Sequence, residues 1–424
     1  MKTLTASTVT VPPHASPAAQ GSLRPWAVAL SGLIALAVAM GIGRFSFTPL
    51  LPMMLHDGVI TLTQGSWLAT ANYFGYLVGA FLGMALPWVA PRLYAVWHPA
   101  LITKTGLVAT VLLTAAMAPD WPSAWPALRF AAGVASAITF LGVSSWCMVR
   151  LASLGRPELA GVIFGGPGSG ILVTGLMASG MVAAGWRASS GWWTFAALAV
   201  VLCAIIWPVI RGRAALSTGT TAASHAAPVP AEPVGARVVH ALAYGLSGFG
   251  YIITATFLPV IAREVMPGHS VWADLFWPIA GAGALVGALL STRLPARWSR
   301  RMLLIAAYLT QASGIALSLL VPNTAGFAIG SLLVGLPFTA ITFFGLQEAR
   351  RIWPASADSF VGLITGLYGI GQIAGPPLVA FMLMHAPQGK GFERGLECAA
   401  LSLVIGALMY AVSLVVWPAR KAMN

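Results

Sequence analysis

MGIGRFSFTPLLP, residues 40–52, is repeated in outline as GFGYIITATFLP, residues 248–259. At an offset of 207 residues four positions match, which pairs Gly41, Gly43, Leu51 and Pro52 with Gly248, Gly250, Leu258 and Pro259. Each stretch lies within a long apolar run, and the first contains one charged residue, Arg44. The matched proline predicts that both runs continue past this point, so Arg44 is predicted to be buried along a helix.

Two further matches follow in the same order along the chain. GYLVGAFL (75–82) matches GALVGALL (283–290) at an offset of 208. At an offset of 201, the pattern of Gly and Ile in 161–170 recurs in 362–371. Three ordered matches at nearly one offset indicate a duplicated chain with two homologous halves.

The composition places these halves in a membrane. Hydrophobic residues make up 58% of the chain and charged residues only 8%, with a mean hydropathy of +0.84. A soluble domain contains about 25% charged residues, so this chain cannot build a water-solvated surface. Its apolar runs are continuous and about 20 residues long, unlike the alternating strands of a β-barrel. The sequence predicts an all-α polytopic membrane protein.

Twelve apolar runs are predicted to cross the membrane. The first six are 26–54, 65–87, 97–118, 125–150, 160–184 and 191–210, and the second six are 238–262, 272–292, 301–321, 325–347, 359–384 and 396–417. We predict a disordered tail over 1–25, a six-helix bundle over 26–210, a polar linker over 211–236 and a second six-helix bundle over 237–424.

Lysine and arginine in the connections predict the orientation. Assigning both termini and the even-numbered connections to one side gives that side 17 of the 23 basic residues, against five for the other side. Because cytoplasmic connections are enriched in Lys and Arg, both termini are predicted to be cytoplasmic, in a bacterial inner membrane. The same distribution explains the net charge of +13 without a nucleic-acid partner.

Cofactor and metal sites are not expected. The three cysteines, Cys147, Cys203 and Cys398, match no metal-ligand spacing, and their odd number gives no disulfide framework. We predict no cofactor, no metal and a monomeric protein whose partners are the lipid bilayer, a small-molecule substrate and protons or another coupling ion.

GIGRFSFTPLLP, followed by ATANYFGYLVGAFLG (69–83), resembles the YbfB-like bacterial branch of the major facilitator superfamily. The resemblance extends over nearly the whole chain. It implies two six-helix bundles, alternating access to a central site, and spans 1, 4, 7 and 10 around that site.

The motifs of this superfamily are partly present. The loop after span 2, GMALPWVAPR, retains Gly83 and Arg92 but has Pro87 at the usual acidic position. RFAAGVASA (129–137) and GGPGSGI (165–171) are similar to the motifs of spans 4 and 5. Either these residues serve coupling and gating or they supply topology charges and tight packing. The candidates for coupling or gating are Arg92, Arg129, Pro167, Arg300, Glu348 and Asp358.

Arg44 is the main candidate for substrate binding. A charge at the bilayer centre costs about 2.5–3.5 kcal/mol on insertion scales, so a buried charge faces the bundle interior. None of the ten acidic residues lies in the middle of a predicted span, which leaves Arg44 without an obvious counter-ion. A guanidinium binds carboxylate through two parallel hydrogen bonds. Either Arg44 binds an anionic substrate or it bonds helix carbonyls in a structural role.

Polar and aromatic residues of the spans complete the predicted pocket. Aromatic walls with a few polar groups suit a small organic ligand, although packing alone explains many such residues. The candidates are Asn72, Tyr73, Tyr76, Trp146, Tyr244, Tyr251, Tyr368 and Gln372.

These features predict a secondary transporter rather than an enzyme. No G-x-x-x-x-G-K-[ST], G-x-S-x-G or H-E-x-x-H motif occurs in the chain. The predicted substrate is a small organic molecule, and the charge of Arg44 suggests an anion. The alternatives are an efflux antiporter for neutral or amphipathic compounds and a membrane receptor that does not transport.

Overall fold

The computed structural model describes residues 24–89, 98–211, 231–266, 270–295, 297–387 and 390–418. Within these ranges the chain forms twelve helical spans and no strands. Spans 1–6 are Pro25–His56, Leu62–Val89, Pro99–Ala116, Trp125–Ser153, Pro157–Ala183 and Ala188–Ile206. Spans 7–12 are Val234–Val265, Trp272–Ser291, Arg300–Leu320, Thr324–Ile352, Pro354–His385 and Gly391–Val416. The predicted all-α fold with twelve spans is confirmed, and individual ends differ from the prediction by up to five residues.

The bundle has two faces, at which the spans begin and end. The linker face is the one at which spans 1 and 7 begin, at Pro25 and Val234, and the distal face is the opposite one. Residues 1–23 and 212–230 lie outside the described ranges. The boundaries of the tail and linker therefore stay predictions.

Matched glycines bring equivalent helices together in the two halves. A Cβ at Gly41 would lie 2.4 Å from the Cα of Gly170, where span 1 meets span 5. A Cβ at Gly371 would lie 3.2 Å from the carbonyl carbon of Gly248, where span 11 meets span 7. Small residues allow helix backbones to approach this closely. The sequence repeat therefore corresponds to a repeated helix contact.

Span 1 is not a uniform α-helix. It is α-helical over Pro25–Leu36 and Phe47–His56, and it forms a π-helix over Ala37–Phe45. All nine residues of the π segment are buried. π segments are rare and are frequently found at functional sites. Arg44 lies near the end of this segment, where π geometry returns to α.

Three pairs of spans make most of the backbone contacts between the two halves. Span 2 packs against span 11, where a Cβ at Gly366 would lie 2.8 Å from the Phe81 ring. Span 5 follows span 8 from Gly161 near the linker face to Ser179 near the distal face. Span 1 reaches span 7 through Thr48 Oγ1, which donates to the carbonyl oxygen of Ala255 at 2.7 Å. The described form is closed around its centre.

Apolar side chains cover the outside of the bundle. Large aliphatic residues are more than half exposed on several spans, including Leu112, Val201, Leu320, Leu401 and Val415. A soluble protein would bury such a surface, whereas lipid chains solvate it. The perimeter therefore fits a multi-pass membrane protein.

Candidate functional site

Arg44 lies at the junction of three spans from both halves. Its side chain is 3% exposed, and Nη2 donates to Gln372 Oε1 of span 11 at 2.5 Å. The guanidinium carbon lies 4.0 Å from the ring centroid of Tyr76 and 5.2 Å from that of Tyr73, both on span 2. The cation is therefore held by an amide oxygen and by aromatic faces, whose negative quadrupoles attract it.

No carboxylate neutralises this cation among the described residues. All ion pairs found there involve other basic residues. Gln372 is also engaged on its other side, because its Nε2 donates to the hydroxyl of Tyr251 at 2.6 Å. The Nε of Arg44 is buried and has no hydrogen-bond partner among the residues that the structure describes. The site is therefore a buried positive charge with unused donor capacity.

Arg129 is a second buried guanidinium, and it binds the backbone that holds Arg44. Its Nη1 and Nη2 donate to the carbonyl oxygens of Gly43 and Arg44 at 3.4 and 3.1 Å. The preceding carbonyl, of Ile42, accepts from Ser46 Oγ at 2.5 Å. Three consecutive carbonyls at the end of the π segment are thus bonded to side chains. The Arg129 side chain therefore positions Arg44 by binding the backbone of Gly43 and Arg44.

Asn72 in turn bonds the backbone of Arg129. Its Nδ2 donates to the carbonyl oxygen of Arg129 at 2.9 Å, which ties span 2 to span 4. Its Oδ1 is buried and has no partner within the described ranges. Asn72 therefore lies beside the Arg44 cluster but bonds the backbone of span 4.

Three of the predicted tyrosines, Tyr244, Tyr368 and Tyr251, form one continuous aromatic wall. The rings of Tyr251 and Tyr368 stack with centroids 5.8 Å apart, and the rings of Tyr244 and Tyr368 are 5.0 Å apart. Tyr73 joins the halves, because its hydroxyl lies 2.8 Å from the hydroxyl of Thr256. The structure therefore brings five of the predicted substrate-binding residues together beside Arg44, namely Tyr73, Tyr76, Tyr251, Tyr368 and Gln372. Tyr244 adjoins this cluster through Tyr368.

A small cavity of about 30 Å³ adjoins this cluster. Its wall includes Phe45, Tyr251, Thr254, Trp277 and Phe338. All of these except Tyr251 were missed by the sequence reasoning. Apolar and aromatic residues are so frequent in this chain that neither composition nor spacing distinguishes a cavity wall from ordinary packing. The one available signal is that Phe45 follows Arg44 directly in the sequence.

Two predicted residues lie away from this cluster. Trp146 is buried, and its indole Nε1 donates to the carbonyl oxygen of Arg211 at 3.3 Å, near the linker face. Pro167 is buried in the first turn of Gly166–Ala183, where span 5 changes from 3₁₀ to α geometry. The structure does not bring either residue into contact with Arg44.

The remaining coupling and gating candidates lie at the linker face or outside the described residues. Arg92 belongs to the latter group. Arg300 Nε donates to Gln347 Oε1 at 2.9 Å, and Asp358 is exposed in the first turn of Ala357–His385. Glu348 is almost completely buried, at 1% exposed, although it lies in the last turn of span 10.

Glu348 belongs to an ion-pair network that the sequence did not reveal. Glu348 Oε1 accepts from Arg301 Nε at 2.6 Å and from Arg351 Nη2 at 2.7 Å. Both arginines also pair with Glu232 at the end of the linker. Arg301 further donates to the carbonyl oxygens of Ser413 and Trp417. All of these groups belong to the second half or to the adjoining linker, so the network fastens the linker end to the second bundle.

Metal ligands do not converge in the described ranges. No group of three His, Cys, Asp or Glu side chains there could hold an ion. Cys147 and Cys203 are buried as free thiols.

A family model and a curated relative each match most of this chain. A family model described as "Uncharacterised MFS-type transporter YbfB" matches residues 36–411. A chloramphenicol resistance protein of Streptomyces lividans is 27% identical over 401 residues, which cover 88% of this chain and 94% of that protein.

Two solved transporter structures share the fold at low sequence identity. A mutant of the nucleoside transporter NupG has a TM-score of 0.66 and is 14% identical, covering 91% of this chain and 99% of its own. The D-xylose-proton symporter has a TM-score of 0.67 and is 12% identical, covering 91% of this chain and 97% of its own.

Proposed function

Because the chain belongs to the family of MFS-type transporters described as YbfB, we propose that it moves a small organic anion across the membrane by alternating access. The observation that supports this proposal is the Arg44 guanidinium, buried between the halves and bonded to a neutral amide. A buried cation without a carboxylate is costly unless a ligand of opposite charge completes the site.

The membership establishes the transporter class. The family and both structural relatives are transporters, so the prediction of a transporter rather than an enzyme is confirmed. The chain is a multi-pass membrane protein with twelve helices long and apolar enough to cross a bilayer. The substrate and the coupling ion belong to the proposal.

The proposed mechanism starts from the bond between Arg44 and Gln372. In the closed form, Gln372 Oε1 occupies one donor of the guanidinium, and it comes from the other half of the molecule. A carboxylate accepts two charge-assisted hydrogen bonds from a guanidinium, each stronger than a bond to a neutral amide. A bound anion would therefore displace Gln372 and loosen a contact between the halves. Substrate binding is thereby linked to their relative movement.

The test uses purified protein in proteoliposomes with an imposed proton gradient and a panel of radiolabelled organic acids. We expect Arg44→Gln to lower transport of the responsive acid by about 10- to 100-fold, because a charge-assisted bond is worth about 1.5–3 kcal/mol. Arg44→Lys should retain an intermediate rate, since an ammonium keeps the charge but lacks the planar fork. Arg156→Gln, at an exposed site on the linker face, is the matched control. Full transport by Arg44→Gln would disprove the anion site.

A second candidate is efflux of neutral aromatic compounds. Two observations favour it, namely the relative named as a chloramphenicol resistance protein and the continuous tyrosine wall. Chloramphenicol accumulation in cells that express the protein separates the candidates. A neutral substrate predicts efflux that survives Arg44→Gln, whereas an anionic substrate predicts no protection from chloramphenicol.

The cellular setting is part of the same proposal. We propose a monomer in a bacterial inner membrane with both termini in the cytoplasm and with coupling to protons or another ion. The supporting observation is the uneven distribution of Lys and Arg between the connections. The division into tail, two bundles and linker at 26, 211 and 237 is likewise proposed from the sequence.

A further inference from the structure

The cavity beside Arg44 is lined by aromatic rings, and two of its lining residues, Trp277 and Thr254, carry buried polar atoms without partners in the described part of the chain. From these features we infer that the transported anion is an aromatic carboxylate with a hydrogen-bond acceptor on the far side of its ring. The inference rests on the proposed anion site at Arg44 and adds a second subsite. It assigns the ring to the cavity and the acceptor to Trp277 and Thr254.

Aromatic rings from both halves form much of the cavity wall. The ring centroids of Phe45 and Trp277 lie 6.2 Å apart, those of Phe45 and Phe338 lie 5.9 Å apart, and those of Tyr251 and Phe338 lie 5.1 Å apart. These separations and the tilted or edge-on angles are typical of favourable aromatic pairs. A planar ligand ring inserted among them would gain the same contacts, whereas a saturated ring would gain only apolar contact.

Two residues of that wall, Trp277 and Thr254, also carry a polar atom. Trp277 Nε1 and Thr254 Oγ1 are both buried, and neither has a hydrogen-bond partner within the described part of the chain. An unsatisfied buried donor costs about 1–3 kcal/mol, so such atoms call for an explanation. The indole nitrogen can only donate, and the hydroxyl can donate as well. A ligand that satisfies both must present an acceptor oxygen.

Phe45 connects the cavity with the Arg44 cation. The guanidinium carbon of Arg44 lies 5.3 Å from the ring centroid of Phe45, which in turn packs against Trp277. A single ring therefore separates the cation from the indole. Tyr251 also joins the two subsites, because its ring lines the cavity while its hydroxyl accepts from Gln372. A ligand with its carboxylate and its acceptor at opposite ends of one ring matches this order.

The cavity must enlarge to admit such a ring. Its volume of about 30 Å³ accommodates roughly one water molecule, whereas an engineered cavity that binds benzene has about 150 Å³. Phe45 and Ile171 belong to the first half, and the other lining residues belong to the second. Separation of the halves therefore moves opposite walls apart. The ring is therefore admitted only when the halves separate.

The test is calorimetric binding to the purified full-length protein with three probes: benzoate, 4-acetylbenzoate and cyclohexanecarboxylate. We expect benzoate to bind about two- to tenfold more tightly than cyclohexanecarboxylate, because aromatic pairs add about 0.5–1.5 kcal/mol beyond burial. We expect 4-acetylbenzoate to bind more tightly than benzoate. Trp277→Phe should lower the affinity for 4-acetylbenzoate about tenfold, since it removes a buried donor but keeps a ring.

Trp192→Phe is the matched control. Trp192 is buried on span 6, and its indole nitrogen also lacks a partner, but it does not line the cavity. Its substitution should leave the affinity for all three probes unchanged. The melting temperature of each variant establishes that it is folded.

The outcomes separate this inference from the proposed function. Equal binding of benzoate and cyclohexanecarboxylate, both lost in Arg44→Gln, would overturn the aromatic subsite and leave the anion site intact. Binding that is insensitive to Arg44→Gln would overturn both. An unchanged affinity of Trp277→Phe for 4-acetylbenzoate, or no binding of either aromatic acid to folded protein, would also overturn the inference.

Discussion

The bond between Arg44 and Gln372 distinguishes this centre from a structural salt bridge. The guanidinium has a neutral partner from the opposite half, and its Nε has none. A glutamate at position 372 would have the same shape but would neutralise the cation permanently. The neutral amide therefore leaves the charge available to a ligand.

Gln372→Glu tests this interpretation directly. The new carboxylate is expected to form an ion pair with Arg44 and to compete with an anionic substrate. The predicted result is a loss of acid affinity of at least about tenfold, because charge-assisted bonds are roughly twice as strong as neutral ones. Transport of a neutral substrate should fall much less. Binding and transport assays on the same preparation measure both effects.

Gln347→Glu is the control for that substitution. Gln347 also accepts a hydrogen bond from an arginine, Arg300, but it lies at the linker face. Its conversion to glutamate should leave substrate affinity unchanged. If Gln372→Glu also binds the acid normally, Arg44 does not contact the anion.

Among the elements, span 1 has a backbone that is held by contacts with spans 4 and 5. Its π segment packs on span 5 through Gly41 and ends where Arg129 and Ser46 bond the carbonyls of residues 42–44. The position of Arg44 depends on both contacts. A change in the packing of this segment should therefore affect the binding site as well as stability.

Gly41→Ala is predicted to be strongly destabilising. The added methyl would lie 2.4 Å from the Cα of Gly170, and backbone cannot move aside as a flexible side chain can. Overpacking of this kind costs about 1–3 kcal/mol. The expected outcome is a lower melting temperature together with reduced transport per folded molecule.

Gly180→Ala is the comparison for the same helix pair. Gly180 lies on span 5, as Gly170 does, but a Cβ at Gly180 would meet no atom within 4 Å. Alanine is about 1 kcal/mol better than glycine in a helix interior, so this variant should be as stable as wild type or slightly more stable. Equal melting temperatures for the two alanine variants would contradict the packing argument.

At the scale of the whole molecule, the halves are joined by contacts near both faces. Thr48 bonds span 7, Ser179 Oγ donates to the carbonyl oxygen of Asp274, and Gly161 packs on Thr292 near the linker face. Alternating access requires these contacts to break in turn.

A cysteine pair at Gly161 and Thr292 should lock the linker face. A Cβ at Gly161 would lie 3.2 Å from the Cβ of Thr292, close to the separation of about 3.5–4.5 Å in disulfides. In a background without the three native cysteines, oxidation of the pair is predicted to reduce transport more than tenfold. Reduction should restore it, and the single variants should be insensitive. Normal transport by the cross-linked protein would show that this face does not open.

The orientation prediction is tested by labelling single cysteines in intact cells. His56→Cys on the distal face should react with a membrane-impermeant maleimide, because its side chain is exposed. Arg156→Cys on the linker face should react only after the cells are opened. The reverse pattern would place both termini outside the cytoplasm.

The sequence by itself determined the membrane class, the twelve spans and the duplicated halves. Hydrophobicity of a 20-residue run decides membrane insertion segment by segment, so these features need no knowledge of tertiary contacts. The matched glycines, such as Gly41 and Gly248, indicated the repeat and close helix packing, because close backbone approach requires small residues, but they did not indicate which helices pair. Arg44 was recognisable as a site residue because charge is rare within a span.

Only the tertiary structure decided how these residues meet. The π segment of span 1, the bond from Arg44 to Gln372 and the support from Arg129 depend on side chains from different spans, up to 328 residues apart. Trp146 and Phe45 show the limit in both directions, since one aromatic predicted for the site lies at the linker face and one not predicted lines the cavity. In a chain with so many apolar residues, packing rather than residue type determines which aromatic faces the centre.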